Sequence, residues 1–293
     1  MNMDFKSAKE LLALCAENAL PISEVMRRRE CLLGEVEQDA VDRRMAKAWD
    51  IMRASATQPL ETPIKSMGGL IGGEAKTLQA HAAEGKGICG DMLQKAMTYA
   101  MAVLEVNASM GLIVAAPTAG SAGVVPGLLL ALQECYDLPD GRIVEALFNA
   151  GAVGYLAMRN ATVAGAVGGC QAEVGIASAM AASAAVELLG GTPQQCLDAA
   201  STVLMNMLGL VCDPVGGLVE YPCQNRNAAG VANALVAAEM ALSGIRQLIP
   251  FDQMLDAMYA VGKRLPAELR ETALGGCAAT PAACAACGLC SGN

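Results

Sequence analysis

After residue 58 the sequence consists of apolar stretches, rich in alanine and glycine, that are separated by short glycine-dense loops. No stretch alternates β-branched and polar residues as a half-buried strand does, and no strand–helix–strand rhythm appears. Aromatic residues make up only 3% of the chain, so the core must be built from small and aliphatic side chains, which suit close contact between helices. The sequence therefore predicts an all-α fold.

Charge is densest in the first part of the chain, where an amphipathic helix is predicted over 6–18. A second helix, with Ser23 as its N-terminal cap, is predicted through the long charged run that follows. Thr192 before Pro193 predicts a second cap. The change in composition predicts a helical arm over 1–58 packed on the core, a catalytic domain over 59–276 and a cysteine-rich tail over 277–293. Further helices are predicted over 73–83, 91–106, 124–136, 141–154, 171–189, 193–208, 228–246 and 251–262.

Composition excludes several classes of protein. A net charge of -9 and a pI near 4.7 argue against binding to nucleic acid. Residues 106–133 carry no charge and are long enough to span a membrane, but Pro117, Pro126 and a glycine-rich core would break such a helix. Acidic residues in the first apolar stretch are unlike a signal peptide. We therefore expect a cytoplasmic protein whose 12 cysteines are thiols or metal ligands rather than disulfides.

Three cysteines lie at helix boundaries or in glycine- and proline-rich loops, where packing does not explain them. Cys170 occurs in GAVGGCQAE, Cys212 opens CDPVGG and Cys223 closes EYPC. Thiolates on loops at helix ends hold clusters and soft metals, and a three-thiolate site leaves one coordination position open for a substrate. Five other cysteines, within or beside helices, are expected to act as small hydrophobic residues: Cys15, Cys31, Cys89, Cys135 and Cys196.

Seven loops collect the glycines and polar residues, at 66–76, 85–91, 107–111, 117–123, 167–171, 212–217 and 223–230. Glycine lets a backbone approach a ligand with its N–H groups turned inward, so the loops before helices are candidate carboxylate cradles. The alternative for each single loop is that glycine and alanine only allow tight packing between helices. Seven such loops interleaved with three placed cysteines favour a site.

Three long motifs carry a family resemblance: SMGGLIGGEAK (66–76), NASMGLIVAAPTAGSAGVVPG (107–127) and CDPVGGLVEYPCQNRNAAGVANAL (212–235). They resemble the alpha chain of iron–sulfur-dependent L-serine dehydratases, and the spacing of Cys170, Cys212 and Cys223 is similar to that family's cluster ligands. The resemblance implies a multi-helix catalytic domain with glycine-rich loops converging on an iron–sulfur site. It further implies a [4Fe-4S] cluster on these cysteines, and β-elimination of L-serine, bound to the open iron, to pyruvate and ammonia.

The expected substrate contacts lie in these loops: Ser66, Asn107, Ser109, Thr118, Ala119, Gly120, Ser121, Asn225 and Arg226. Arg226 follows a ligand cysteine by three residues and suits a forked pair with the substrate carboxylate. The alternative for Arg226, an ion pair with a nearby acid at a helix end, stays open.

The catalytic base remains unknown. His81 is the only histidine, and a lone histidine near a helix end is more often structural or exposed than catalytic. Lys76, Lys86, Asp213 and Tyr221 are conceivable, but nothing ranks them. Two-chain relatives in the resembled family have a beta chain, and a base from such a partner would explain the shortage here. We therefore expect a heterodimer or larger assembly with a beta chain.

The tail departs from the family pattern because Cys284, Cys287 and Cys290 form C-x2-C-x2-C, with Cys277 seven residues before the first. In single-chain members of the resembled family a C-terminal cysteine can occupy the open iron when no substrate is bound, so the resemblance implies that one of these three, with Cys290 as the main candidate, caps the iron here. The alternative is a flexible tail with spare thiols.

Other functions remain open from the sequence. A related cluster-dependent lyase acting on L-cysteine or L-threonine would differ only in the lining of a small pocket. A membrane transport protein is the less favoured reading of the apolar composition. A pyridoxal-phosphate dehydratase is disfavoured because the chain is read as helical and its cysteines are placed.

Overall fold

The computed structural model describes residues 3–287, and within them it contains helices and no strand. The all-α prediction is therefore confirmed. The α-helices of this part of the chain are α1 Ala8–Asn18, α2 Ile22–Gly34, α3 Gln38–Glu61, α4 Glu74–Ala83, α5 Gly90–Ala108, α6 Val124–Tyr136, α7 Asp140–Asn160, α8 Gly165–Gly168, α9 Ile176–Leu188, α10 Pro193–Met207, α11 Cys223–Leu242, α12 Phe251–Arg264 and α13 Pro281–Cys287.

Helix α9 is the centre of the fold. All of its residues except Glu187 are buried, as expected for a helix that is apolar on every side. It packs against α6, α7, α10 and α11, which form a shell around it. The cysteine-containing loops sit at the ends of this central bundle.

Small residues bring the helices close together. A Cβ atom on Gly127 of α6 would lie 2.8 Å from the backbone oxygen of Ala96 on α5. Likewise, a Cβ on Gly230 of α11 would lie 2.8 Å from Ser178 Oγ on α9. At these two positions inside helices, glycine therefore serves close packing between helices.

The first three helices join the same core rather than forming a core of their own. Phe5, Leu11, Ile22 and Trp49 are each at most 1% exposed and belong to the main buried cluster. Helix α3 runs to Glu61, past residue 58. The division at residues 58 and 276 stays a prediction.

The two predicted caps had different outcomes. Thr192 accepts a hydrogen bond from Gln195 N and forms a full capping box, which confirms it. The prediction for Ser23 was wrong, because α2 begins at Ile22 after Pro21 and Ser23 lies buried inside the helix. Its N–H donates instead to the carboxylate of Glu187 on α9.

Among the residues described, no helix combines the length and the apolar character needed to cross a membrane.

Candidate functional site

The three predicted ligand cysteines are presented by three different local structures. Cys170 comes directly before a turn of π-helix, Gln171–Gly175, that leads into α9. Cys212 lies in the loop after α10, and Cys223 is the first residue of α11. All three are buried, at 3%, 4% and 8% exposure. Single π-turns are frequent at functional sites because they redirect side chains without ending a helix.

Gln171 fixes the Cys170 turn against the Cys212 loop. Its backbone N–H donates to Leu210 O at 3.0 Å, and its side-chain oxygen accepts from Gly209 N at 2.9 Å. The side-chain nitrogen donates to Gly168 O and, on α12, to Met258 O. One buried glutamine thus connects the segment that carries Cys170 to the segment that leads to Cys212.

The three thiols are close enough to affect one another electrostatically. Burial raises the pKa of Cys170 and of Cys223 to about 12, and it raises that of Cys212 further. A charge on Cys170 would raise the pKa of both other cysteines, and one on Cys223 would raise that of Cys212. Without a metal these groups are therefore neutral thiols, and a metal would bind by displacing their protons.

Glu173, which was not predicted as a site residue, lies in the middle of this group. Thr118 Oγ1 donates to Glu173 Oε1 at 2.9 Å, while Glu173 Oε2 is 3.6 Å from Cys212 Sγ. Burial is the main cause that raises the pKa of Glu173. This carboxyl group therefore joins the loop 117–123, which begins with PTAG and is called the PTAG loop, to a candidate ligand cysteine.

The segment after α12 supplies a second carboxylate. Cys212 N donates to Leu269 O at 2.9 Å, and Glu271 N donates back to Cys212 O at 2.7 Å. One oxygen each of Glu173 and Glu271 and the sulfur of Cys212 lie within 4.8 Å of one another. Glu271 was not predicted either, because its link to Cys212 exists only in the folded chain.

Arg226 is already engaged in the folded protein. Its Nη1 lies 2.6 Å from Asp213 Oδ1 and donates to Val211 O at 2.9 Å. Burial raises the pKa of Cys170, and the positive charge of Arg226 lowers it. The other oxygen of Asp213 accepts from Cys277 N at 2.6 Å. The ion-pair alternative therefore describes the observed contact, and carboxylate binding by Arg226 stays a prediction.

Four predicted substrate contacts are consecutive residues of the PTAG loop. Thr118 and Ser121 share a hydrogen bond of 3.0 Å between their hydroxyls, and Ser121 is fully buried. Ala119 is exposed, and a Cβ on Gly120 would lie 3.5 Å from Glu173 Oε1. The structure thus brings this loop to the cysteine group through Glu173.

Two of the other predicted contacts, Ser66 and Ser109, donate hydrogen bonds within the chain. Ser66 donates to Glu220 Oε2 at 2.7 Å, and Ser109 donates to Val106 O at the end of α5. Asn107 lies half-buried in the last turn of α5. Asn225 is exposed and borders a cavity of about 650 Å³. Their roles toward a substrate stay predictions.

Cys284 and Cys287 lie on α13, which begins at Pro281. The predicted cap Cys290 lies outside the described residues, so the cap stays a prediction. Of the five cysteines predicted as small hydrophobic residues, Cys15 and Cys196 are buried. Cys31 is half-buried, while Cys89 and Cys135 are exposed, so that prediction was wrong for these two. Cys89 lies outside the helices, just before α5, and Cys135 lies on an exposed face of α6, which the sequence pattern did not reveal.

Gly165 lies beside Cys212 and Glu173 and keeps the space next to both of them free of a side chain. A Cβ at this position would lie 2.9 Å from Cys212 Sγ and would also clash with Glu173 Oε2. We expect Gly165→Ala to lower the free energy of unfolding by about 1–3 kcal/mol and to reduce the metal bound per chain. Urea unfolding and metal analysis measure both effects. Gly141→Ala, where a Cβ meets nothing within 4 Å, is the control; equal metal content in both variants would contradict the prediction.

The family model described as "Serine dehydratase alpha chain" matches residues 17–290. A probable L-serine dehydratase alpha chain of Bacillus subtilis is 48% identical over 277 residues, which cover 94% of this chain and 92% of the relative. The L-serine dehydratase alpha chain of Peptoniphilus asaccharolyticus is 45% identical over 272 residues, covering 93% of each.

A longer relative matches the chain over part of its own length. The L-serine dehydratase TdcG of Escherichia coli is 36% identical over 282 residues, which cover 94% of this chain and 62% of that protein.

Proposed function

This chain belongs to the serine dehydratase alpha-chain family, and from that membership we propose that it catalyses the deamination of L-serine to pyruvate and ammonia together with a beta chain. The single observation that carries the proposal within the structure is the convergence of Cys170, Cys212 and Cys223. They come from three separate segments, are buried, and influence one another's pKa.

The donor set supports a 4Fe-4S cluster held by three cysteines. Three thiols on loops and helix ends are the ligands that iron–sulfur clusters take. A glycine at position 165 leaves room beside Cys212, and the Arg226 charge near Cys170 favours its thiolate form. When bound, such a cluster would supply a Lewis-acidic iron that helps the serine hydroxyl to leave.

The chain's own residues would then position the substrate and control protons. Thr118 and Glu173 border the cysteines with a hydroxyl and a carboxyl group. In the overall reaction a base removes the Cα proton, the β-hydroxyl leaves as water, and the resulting enamine hydrolyses to pyruvate and ammonia. Asp213 is engaged by Arg226 and by Cys277 N, and His81 is exposed on α4. Lys76 donates to Glu61 O, Lys86 pairs with Glu84, and Tyr221 is exposed. None of these contacts places a base at the cysteines, and we propose that the beta chain supplies the Cα base.

The test is anaerobic production of the chain with and without its beta partner, followed by measurement of iron, sulfide, visible absorption and pyruvate formed from L-serine. We expect pyruvate only from the complex that contains the cluster, and loss of activity in air because an open iron is exposed to oxidation. L-Threonine and L-cysteine are assayed in parallel. Faster turnover of either would reassign the substrate, and full activity in air with a metal chelator present would contradict a substrate-binding cluster.

A further inference from the structure

Two carboxylates and one thiol converge from three segments of the chain that are far apart in sequence. Glu173 comes from the π-turn before α9, Cys212 from the loop after α10, and Glu271 from the segment after α12. One ligand atom of each lies within 4.8 Å of the other two. This group is distinct from the three-cysteine set, with which it shares only Cys212.

The spacing between the ligand atoms of Glu173 and Cys212 fits a single metal ion. Bond lengths of about 2.3 Å to sulfur and about 2.1 Å to oxygen place tetrahedral ligand atoms about 3.6 Å apart. Glu173 Oε2 lies 3.6 Å from Cys212 Sγ. The space beside both atoms is kept clear by Gly165, where a side chain would reach them.

Charge also calls for a cation at this point. Two carboxyl groups and a thiol from three segments meet within 4.8 Å, and a bound cation would neutralise such a group of acidic side chains. The nearby guanidinium of Arg226 is held by the buried carboxylate of Asp213. A divalent cation would compensate all three groups at once, and the thiolate would then form by loss of its proton to solvent.

We propose that Glu173, Cys212 and Glu271 form a mononuclear site for a divalent transition-metal ion in the chain that carries no cluster. Two carboxylates with one thiolate suit ferrous iron or zinc better than magnesium or calcium, which avoid sulfur. Because Cys212 is shared, an ion bound here withdraws that thiolate from the three-cysteine set. The mononuclear site therefore belongs to the cluster-free protein.

Cobalt(II) is the probe, because a bound thiolate gives it a charge-transfer absorption that carboxylates alone do not. The cluster-free, reduced full-length chain is titrated anaerobically. We expect one Co²⁺ per chain, with charge-transfer absorption that is lost in Cys212→Ala and kept in Cys170→Ala and Cys223→Ala. Glu173→Gln and Glu271→Gln should each weaken binding at least about tenfold, since even outer-shell changes at metal sites cost about 10–100-fold.

Glu268→Gln is the matched control, because Glu268 is an exposed carboxylate of the same segment and the change removes the same charge. It should bind Co²⁺ as the unchanged chain does. Glu271 is itself exposed, so its variant should fold even where Glu173→Gln does not, and circular dichroism checks this. Unchanged Co²⁺ affinity in Glu271→Gln, or loss of binding in Cys170→Ala and Cys223→Ala, would overturn the proposal. Cluster content, measured separately after reconstitution, tests the proposed function without reference to either glutamate.

Discussion

Replacing Cys223 by Ala is expected to abolish L-serine deamination by the complex with the beta chain and to leave the chain without an intact cluster. Cys223 is the first residue of α11 and is only 8% exposed. Its loss leaves two cysteines of the proposed set, which cannot hold three irons of a cluster by thiolate. A Lewis-acidic metal lowers the reaction barrier by several kcal/mol, and each 1.36 kcal/mol is tenfold in rate, so loss of the cluster should lower activity at least about a thousandfold.

Cys196→Ala is the matched control for this result. Cys196 is also a buried helical cysteine, but it lies on α10 in the main core beside Asn149 and Ser183. Its removal costs packing without removing a proposed ligand. Iron and sulfide per chain, visible absorption and pyruvate formation are compared in the two variants. A Cys223→Ala variant that retains full iron content and activity would remove Cys223 from the ligand set.

The fold could be predicted from the sequence because its signals are local. Apolar stretches without alternation gave helices, and Thr192 with Pro193 gave a correct helix start. Two helix starts were nevertheless misplaced. Ser23 has the right chemistry for a cap, but Pro21 already occupies that position and Glu187 binds the Ser23 N–H. Helix α11 begins at Cys223, five residues before the predicted start at 228, since its first turn is built from polar residues.

The candidate site divides in the same way. The three cysteines could be selected because thiols in glycine-rich loops are unusual in a sequence. Glu173 could not, since a glutamate three residues after a cysteine at a helix start looks like an ordinary exposed side chain. Its position comes from the π-turn and from Thr118, and that of Glu271 comes from backbone pairing with Cys212. Long-range pairing of this kind leaves no trace in local spacing.

Arg226→Met is expected to lower the free energy of unfolding of the cluster-free chain by about 3 kcal/mol. Asp213 is 1% exposed, and removal of its partner leaves a buried carboxylate without its ion pair, hydrogen-bonded by the N–H and the thiol of Cys277. The free energy is obtained from urea unfolding followed by circular dichroism. The side chain of Arg226 is itself largely buried, so methionine keeps most of the packing and isolates the loss of charge.

A double-mutant cycle with Asp213→Asn separates the ion pair from other effects. Asparagine keeps an acceptor for the Cys277 N–H but removes the charge that Arg226 compensates. If the 2.6 Å contact between Arg226 and Asp213 stabilises the fold as a pair, the double variant should lose at least about 1 kcal/mol less than the sum of the two single losses. Strictly additive losses would show instead that Arg226 acts through Val211 O or Cys170 alone. Coupling would mean that the ligand-bearing start of α11, the Cys212 loop and the segment at Cys277 are held by one buried pair of charges.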